Sequence, residues 1–239
     1  MSISLRNDFI FDDKVCVTIA ENNPEKICKK LDCVLDRSKY AEIRLDYLKN
    51  DSMIKTTIKS IGEKISNCIC TLRDISEGGY FTGEEIRRIT LLKEVYQANP
   101  FLIDIEFNII NKNKDILELF KSRDKLLVSW HVFNNTPSYY YLKQQLNKMK
   151  KISKNIKIVT KANSKNDNIN VLSLYKKSAN INLIAFAMGD IGRVSRLICL
   201  YLGSPFTYAS SSSSNINMKL GQFKLNEYKL IFNHTHIKS

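Results

Sequence analysis

The chain has 239 residues, of which 44% are hydrophobic and 26% charged, an ordinary balance for a globular protein with a sizeable core. No stretch approaches the roughly 18 uncharged apolar residues of a membrane span, which excludes a transmembrane helix. The net charge of +13 leaves a nucleic-acid-binding surface open, but the lysines are spread along the whole chain, so a solvated surface that attracts an anionic metabolite is the simpler interpretation.

The cysteines and the amino-terminal residues indicate a cytoplasmic protein. None of the six cysteines forms a C-x-x-C pair, and they are typical of reduced core thiols. The first fourteen residues, MSISLRNDFIFDDK, include acidic side chains and no apolar signal region. We therefore predict a protein that is not exported.

Strand and helix patterns alternate along the chain. The predicted strands lie at 14–20, 40–48, 67–73, 101–107, 125–133, 155–162, 182–188 and 205–210. The predicted helices lie at 24–35, 52–65, 84–98, 114–122, 137–152, 168–179, 192–203 and 225–233. Because no linker is long enough to divide these units, we predict an α/β fold, a (β/α)8 TIM barrel forming a single domain over 1–239. A doubly wound open sheet is the alternative.

Two basic side chains lie in otherwise apolar strands. They are His131 in LLVSWHVF and Lys157 in NIKIVT. A charged lysine is costly to bury, so such a site favours the neutral amine, which is a nucleophile for carbonyl carbons. A nearby imidazole is a natural proton carrier. The pair indicates Schiff-base chemistry.

Further polar side chains occupy alternate positions near the predicted strand ends. They are Glu42, Arg44 and Asp46 on the second strand, Thr71 and Arg73 on the third, Asp104 and Glu106 on the fourth, and Ser129 beside His131 on the fifth. Barrel strands direct alternate side chains inward, and chemistry gathers at their carboxyl ends. The set therefore predicts an active site, with a structural ion-pair network as the alternative.

Seven sequence motifs match a known family in order and spacing. They are EIRLD (42–46), TLRDISEGG (71–79), DIE (104–106), SWHVFNNTP (129–137), KIVTKA (157–162), MGDIGRVSR (188–196) and GQ (221–222). From about Lys14 to the final helix the chain resembles the type I 3-dehydroquinate dehydratases. The resemblance implies a (β/α)8 barrel, usually a homodimer, that converts 3-dehydroquinate to 3-dehydroshikimate in the shikimate pathway through a lysine imine, without metal or cofactor.

The resemblance also implies roles for the catalytic residues. Lys157 would form the Schiff base, His131 would be the general acid and base, and Glu77 would orient His131. Two alternatives to the role of Lys157 stay open. Lys161 has the same strand parity and lies nearer the loop, and Lys157 could instead form an ion pair with Asp104 or Glu106.

The remaining predicted residues would bind an anionic substrate. Arg196 would take its carboxylate through a planar guanidinium fork. Glu42, Arg44 and Arg73 would bind hydroxyls and pair with one another, Gln222 would reach the substrate from a closing loop, Thr18 would supply a first-strand hydroxyl, and Met188 would line the ring. The sequence predicts neither a metal site nor a nucleic-acid or membrane partner.

The chain departs from the family pattern in three places. Val132 stands where an Asp or Asn usually follows the histidine, and its outward parity predicts little effect. The closing loop reads MKLGQ (218–222) instead of S-A-P-G-Q, so Ser213 or Ser214 replaces the family's serine or closure is weaker. We expect 209–222 to be a mobile lid. No shikimate dehydrogenase portion follows, so the resemblance predicts a monofunctional enzyme.

Three other functions are compatible with parts of this pattern. A class I aldolase on the same barrel also needs a strand lysine, but it usually has a Gly-rich phosphate site after the last strands, where this chain has serines. A nucleic-acid-binding protein would expose aromatic side chains beside basic ones, whereas the aromatic residues here lie mostly inside predicted strands and helices. A family member that keeps the fold without turnover is the third alternative.

Overall fold

Strands and helices alternate through residues 13–211 and 221–235, which the computed structural model describes. The strands are β1 (Val15–Ile19), β2 (Tyr40–Arg44), β3 (Cys68–Thr71), β4 (Leu102–Glu106), β5 (Leu126–His131), β6 (Asn155–Lys161), β7 (Asn182–Met188), β8 (Thr207–Ser210) and β9 (Phe223–Lys224). The α-helices are α1 (Pro24–Leu35), α2 (Asp51–Ile61), α3 (Glu85–Gln97), α4 (Phe107–Lys112), α5 (Tyr139–Met149), α6 (Lys165–Leu172), α7 (Ser195–Tyr201) and α8 (Leu225–Thr235).

The nine strands form one curled parallel sheet. Their order is β7-β6-β5-β4-β3-β2-β1-β8-β9, so the first strand lies between the second and the eighth, as in a barrel wall. The ladder is open between β7 and β8, where the rings of Phe186 and Tyr208 meet with centroids 6.4 Å apart. The sheet is therefore a half-barrel in its hydrogen bonding. It confirms the predicted barrel class, because a doubly wound sheet would reverse its strand order midway.

The strands are buried and the helices cover them through one apolar face. All five residues of β1 and of β4 are buried, as parallel strands inside an α/β fold should be. The helix predicted over 24–35 has the same bounds as α1. Pro24 occupies the first turn of α1, and the side chain of Asn23 accepts hydrogen bonds from the backbone N–H groups of Glu25 and Lys26. None of the described helices is long and apolar enough to cross a membrane.

Several predicted boundaries were wrong for local reasons. The strand predicted over 40–48 ends at Arg44, and a short 3-10 turn follows at Leu45–Tyr47. The helix predicted over 52–65 stops at Ile61 because Gly62 adopts a positive φ of 58°.

A larger error concerns the helix predicted over 114–122. The α-helix of that unit is Phe107–Lys112, directly after β4, and only a 3-10 helix occupies Lys114–Leu119. Extended backbone at Asn113 separates the two, and its side chain accepts a hydrogen bond from the N–H of Asp115. The helices predicted over 168–179 and 192–203 are likewise shorter. Strand β9 was not predicted, and the proposed loop serines Ser213 and Ser214, with most of the expected lid, lie outside the described residues.

Candidate active site

A cavity of about 110 Å³ opens at the carboxyl ends of the strands. All ten predicted site residues line it. They are Thr18, Glu42, Arg44, Arg73, Glu77, His131, Lys157, Met188, Arg196 and Gln222, joined by Gly78, Phe133, Val159, Phe186 and Tyr208. The alternation of side chains along parallel strands therefore brings residues from distant parts of the sequence into one cavity.

Lys157 lies at the centre of this group and is only 6% exposed. Its Nζ is 3.4 Å from Oε1 of Glu42 and 3.4 Å from Oδ2 of Asp104. It also lies over the ring of Tyr208, 4.2 Å from the centroid. Lys161, at the end of the same strand, is exposed. Only Lys157 of these two can therefore meet a molecule held inside the cavity.

Glu42 connects Lys157 to hydroxyl groups on the neighbouring strands. It accepts hydrogen bonds from Oγ1 of Thr18 at 3.0 Å and Oγ1 of Thr71 at 3.1 Å, and the amide of Gln222 donates to Thr18 at 3.3 Å. Burial alone would raise the pKa of Glu42, but the cations of Lys157 and Arg44 outweigh burial and lower it. The carboxylate is thus held ionised beside the amine.

A second carboxylate, Asp104, is held by donors of its own. Arg73 donates to its Oδ2 at 2.7 Å and Ser129 to its Oδ1 at 2.6 Å. Burial would raise the pKa of Asp104, yet Arg73 and Lys157 lower it. Lys157 therefore does contact Asp104, one of the two partners in the ion-pair alternative. This contact is compatible both with a reactive Lys157 and with a structural ion pair, because Asp104 keeps its hydrogen bonds from Arg73 and Ser129 without Lys157.

The arginines of the site do not pair as the sequence suggested. Glu42, Arg44 and Arg73 were expected to pair with one another. Arg44 instead makes a bidentate contact with Asp46, at 2.9 and 2.7 Å. The expectation failed because the chain turns into a 3-10 helix after Arg44, which brings the Asp46 carboxylate back to the guanidinium.

Arg73 also belongs to a buried ion-pair network around Glu106. Glu106 lies 3.3 Å from Arg73 and 2.9 Å from Arg88 of α3, which is fully buried. Arg88 also pairs at 2.9 Å with Glu85, whose side chain is 47% exposed. Two buried guanidinium groups thus share the carboxylate of Glu106.

We expect Glu106→Gln to lower the free energy of unfolding by about 3–5 kcal/mol, because it leaves two buried cations without their shared anion. Denaturant unfolding of the purified protein measures this. Glu85→Gln is the matched control. It removes an exposed partner of the same Arg88 and should cost less than about 1 kcal/mol. Equal losses of unfolding free energy in Glu106→Gln and Glu85→Gln would contradict a special role of the buried Glu106 carboxylate.

His131 and Glu77 both line the cavity, and their side chains face each other. Nδ1 of His131 is 3.7 Å from Oε2 of Glu77, too far for a hydrogen bond, and among the described residues neither atom has another partner. Burial, together with the cations of Arg73, Lys157 and Arg44, lowers the pKa of His131. Burial also raises the pKa of Glu77 to about 7, against the pull of Arg73. The pair thus combines a neutral imidazole with a carboxyl group that titrates near neutrality.

The predicted substrate-binding cation, Arg196, lines the same cavity. It is buried at the start of α7, and its guanidinium stacks on Phe186 at 4.2 Å from the ring centroid. Met188 ends β7 beside it. A planar cation held against an aromatic face is oriented for a planar anion such as a carboxylate.

Five residues that line the cavity were missed from the sequence. Phe133 packs on His131 with ring centroids 6.0 Å apart, and a Cβ placed on Gly78 would come within 2.7 Å of that ring. Phe133 shares the strand parity of His131, and Tyr208 faces inward from β8, so parity alone could have found both. Phe186 and Val159 are apolar strand residues, and no signal separated them from the core.

Metal ligands do not cluster in the part of the chain that the structure describes. No group of three or more His, Cys, Asp or Glu side chains there could hold an ion. The carboxylates of the cavity contact cationic side chains and hydroxyls instead.

Fold and cavity together define a class, that of barrel enzymes with a buried lysine among carboxylates, arginines and a histidine at the carboxyl ends of the strands. A family model described as Type I 3-dehydroquinase matches residues 15–239, and the chain belongs to that family. A 3-dehydroquinate dehydratase of Dehalococcoides mccartyi is 35% identical over 202 residues, 84% of this chain and 86% of the relative. One from Methanocaldococcus jannaschii is 32% identical over 201 residues, 82% and 88% of the two chains.

Solved structures agree with the fold. A crystal structure of the type I 3-dehydroquinate dehydratase from Clostridium difficile, with covalent modified comenic acid, has a TM-score of 0.81 at 23% identity and covers 94% of this chain and 93% of that one. The Geobacillus kaustophilus 3-dehydroquinate dehydratase has a TM-score of 0.78 at 19% identity, covering 95% and 93%.

Proposed function

We propose that this protein dehydrates 3-dehydroquinate to 3-dehydroshikimate through a Schiff base on Lys157. Family membership supports the reaction. The observation that carries the mechanism is the position of Lys157, a buried amine that lines the cavity between two carboxylates and faces neutral His131. The proposal invokes no metal or cofactor, and it treats 1–239 as one catalytic domain that acts as a cytoplasmic homodimer in the shikimate pathway.

Imine formation begins with the Lys157 amine. Its lone pair attacks the substrate's carbonyl carbon, and the carbonyl oxygen takes up a proton to give a carbinolamine. The proton taken from the ammonium returns to the carbinolamine hydroxyl, which leaves as water while the nitrogen lone pair forms the C=N bond of a protonated imine. Either Glu42 or Asp104, each 3.4 Å from Nζ, can accept the proton that the ammonium must lose first.

Elimination follows on the imine. Neutral His131 removes a proton from the carbon beside the imine, and the electron pair moves into an enamine, which makes the nitrogen neutral. The enamine then expels the hydroxyl group, which leaves as water after protonated His131 returns its proton. Water finally hydrolyses the new conjugated imine, which frees the product and the amine. One substrate thus gives one product and one water.

The other cavity residues would bind the substrate. Arg196 takes the carboxylate, and its stacking on Phe186 fixes the plane of the guanidinium. The hydroxyls meet Arg44, Arg73 and Glu42. Thr18, Gln222 and Met188 complete the wall, and Glu77 orients His131.

The alternatives have less support. An aldolase would share the lysine, but the family match runs through 15–239, the length of the described barrel. A nucleic-acid surface would expose aromatic side chains beside basic ones, whereas Phe133, Phe186 and Tyr208 face the interior cavity.

Borohydride trapping tests the proposal. The protein is incubated with 3-dehydroquinate and sodium borohydride, and peptide mass spectrometry locates the adduct. We expect the reduced substrate on Lys157 and dehydration activity in the untreated sample. An active protein without an adduct would contradict the Schiff base, and an inactive protein would support the alternative of a family member without turnover.

We further expect Arg196→Ala to raise KM for 3-dehydroquinate by about 10- to 100-fold, because a hydrogen bond between charged groups is worth roughly 1.5–3 kcal/mol. Gln222→Ala, which removes a neutral donor, should raise KM by less than about 10-fold. Steady-state kinetics measure both values, and circular dichroism checks that each variant folds. A larger effect at Gln222 than at Arg196 would reverse the assignment of the carboxylate site.

A further inference from the structure

The ring of Tyr208 lines the cavity next to the Nζ atom of Lys157. Tyr208 lies on β8, is 3% exposed, and has the Nζ of Lys157 over its ring at 4.2 Å from the centroid. Phe206 and Phe186 pack edge-on near it, with centroids 5.7 and 6.4 Å away. Phe186 on β7 and Phe206, directly before β8, thus hold the face of Tyr208 toward the amine.

The hydroxyl group of Tyr208 does not explain why a tyrosine lies here. Among the described residues its oxygen is buried and makes no hydrogen bond. Burial, with the nearby charge of Glu42, raises the pKa of the phenol, so the side chain is neutral. A neutral ring therefore acts on Lys157 through the negative potential of its face.

The face of the Tyr208 ring contributes a larger share of the stabilisation of a protonated imine than of an ammonium. The lysine ammonium has three N–H donors and contacts both Glu42 and Asp104. A protonated imine has one N–H donor and can donate to only one of these carboxylates. The attraction of a cation to an aromatic face needs no N–H donor, so it persists after the imine forms.

We infer that Tyr208 is a catalytic residue whose ring keeps the Lys157 nitrogen cationic, both as the resting ammonium and as the Schiff base. The inference rests on the proposed function for its catalytic consequence, although the contact itself does not. A cationic imine is the electron sink for proton removal, so the ring extends catalysis toward alkaline pH.

The ring is one of several groups that act on the nitrogen. Among the described residues, the titratable or charged groups that act on it are Cys16 on β1, Glu42 on β2, Asp104 on β4, His131 on β5 and Tyr208 on β8, and Arg73 lines the same cavity beyond the end of β3. A substitution of Tyr208 leaves all the others in place. Its effect on the nitrogen can therefore be assigned to the ring or to its hydroxyl group.

Two variants separate the ring from the hydroxyl group. Tyr208→Leu removes the ring and keeps an apolar wall, whereas Tyr208→Phe keeps the ring and removes the unpaired hydroxyl. Reductive methylation with formaldehyde and cyanoborohydride, followed by peptide mass spectrometry, gives the rate of modification of Lys157 at each pH without substrate. Exposed Lys161 in the same samples is the internal control.

We expect Tyr208→Leu to move the pH midpoint of Lys157 modification to lower pH by about 0.4–1.5 units, since a cation–π contact is worth roughly 0.5–2 kcal/mol. Tyr208→Phe should keep the wild-type midpoint. In turnover of 3-dehydroquinate, the alkaline limb of kcat should move in the same direction for the leucine variant alone. Should that variant not fold by circular dichroism, Tyr208→Met replaces it.

An unchanged midpoint in the leucine or methionine variant overturns the inference. So does an equal shift in Tyr208→Phe, because the hydroxyl would then be responsible. Borohydride trapping of the wild type distinguishes this failure from failure of the proposed function: no adduct on Lys157 rejects the Schiff base, while the formaldehyde midpoints still test the contact between ring and nitrogen.

Discussion

Lys157→Ala is expected to abolish dehydration of 3-dehydroquinate, with kcat falling by at least about 10⁴-fold, as losses of a nucleophile do elsewhere. Among the residues that the structure describes, no second amine lines the cavity to form an imine in place of Lys157. The variant should still fold, because Glu42 keeps its bonds from Thr18 and Thr71 and Asp104 keeps Arg73 and Ser129. Steady-state assays and borohydride trapping both measure the loss.

Lys161→Ala is the matched control. Lys161 lies four residues on along the same strand, but its side chain is exposed. We expect its removal to leave kcat within about 2-fold of the wild type, since substitutions away from buried networks have small effects. An adduct on Lys161, with turnover persisting in Lys157→Ala, would transfer the Schiff base to Lys161 and refute the proposal.

Strand parity carried most of the prediction of the site. Lys157, His131 and Glu42 face inward because side chains alternate along a strand, and a charged residue in an apolar strand is conspicuous in the sequence. The barrel follows from eight alternating units, and the structure confirms its class. The residues themselves indicated Schiff-base chemistry for Lys157 and His131, whereas the proposed roles of the other site residues depended on the family resemblance.

The failures have a common physical origin in the loops. Parity predicts the direction of Arg44 but not its partner, since a 3-10 turn after the strand brings Asp46 to it. The position of α4 depended on one extended residue, Asn113, which hydrophobic periodicity does not register. Glu77, at the end of a short 3-10 helix, was predicted only from the family resemblance, because its approach to His131 is set by tertiary packing that no local pattern encodes.

His131→Ala is expected to lower kcat by about 10²- to 10⁴-fold, the usual contribution of a general acid and base. The amine and the proton carrier are separate groups, so borohydride should still trap an imine on Lys157. Steady-state kinetics and peptide mass spectrometry measure the two outcomes. A near-normal kcat would make His131 a packing residue only.

The partner of His131 gives the same prediction a pH dependence. Since burial and neighbouring cations lower the pKa of His131, the imidazole is neutral around pH 7, whereas Glu77, with a pKa of about 7, titrates there. Above that pH its carboxylate can accept a hydrogen bond from Nδ1 and leave the Nε2 lone pair free to take a proton. As the pH falls through about 7, Glu77 takes up a proton and this orientation is lost, so kcat/KM should fall. Glu77→Gln cannot ionise and should remove that step. A step that persists in Glu77→Gln would assign it to another group.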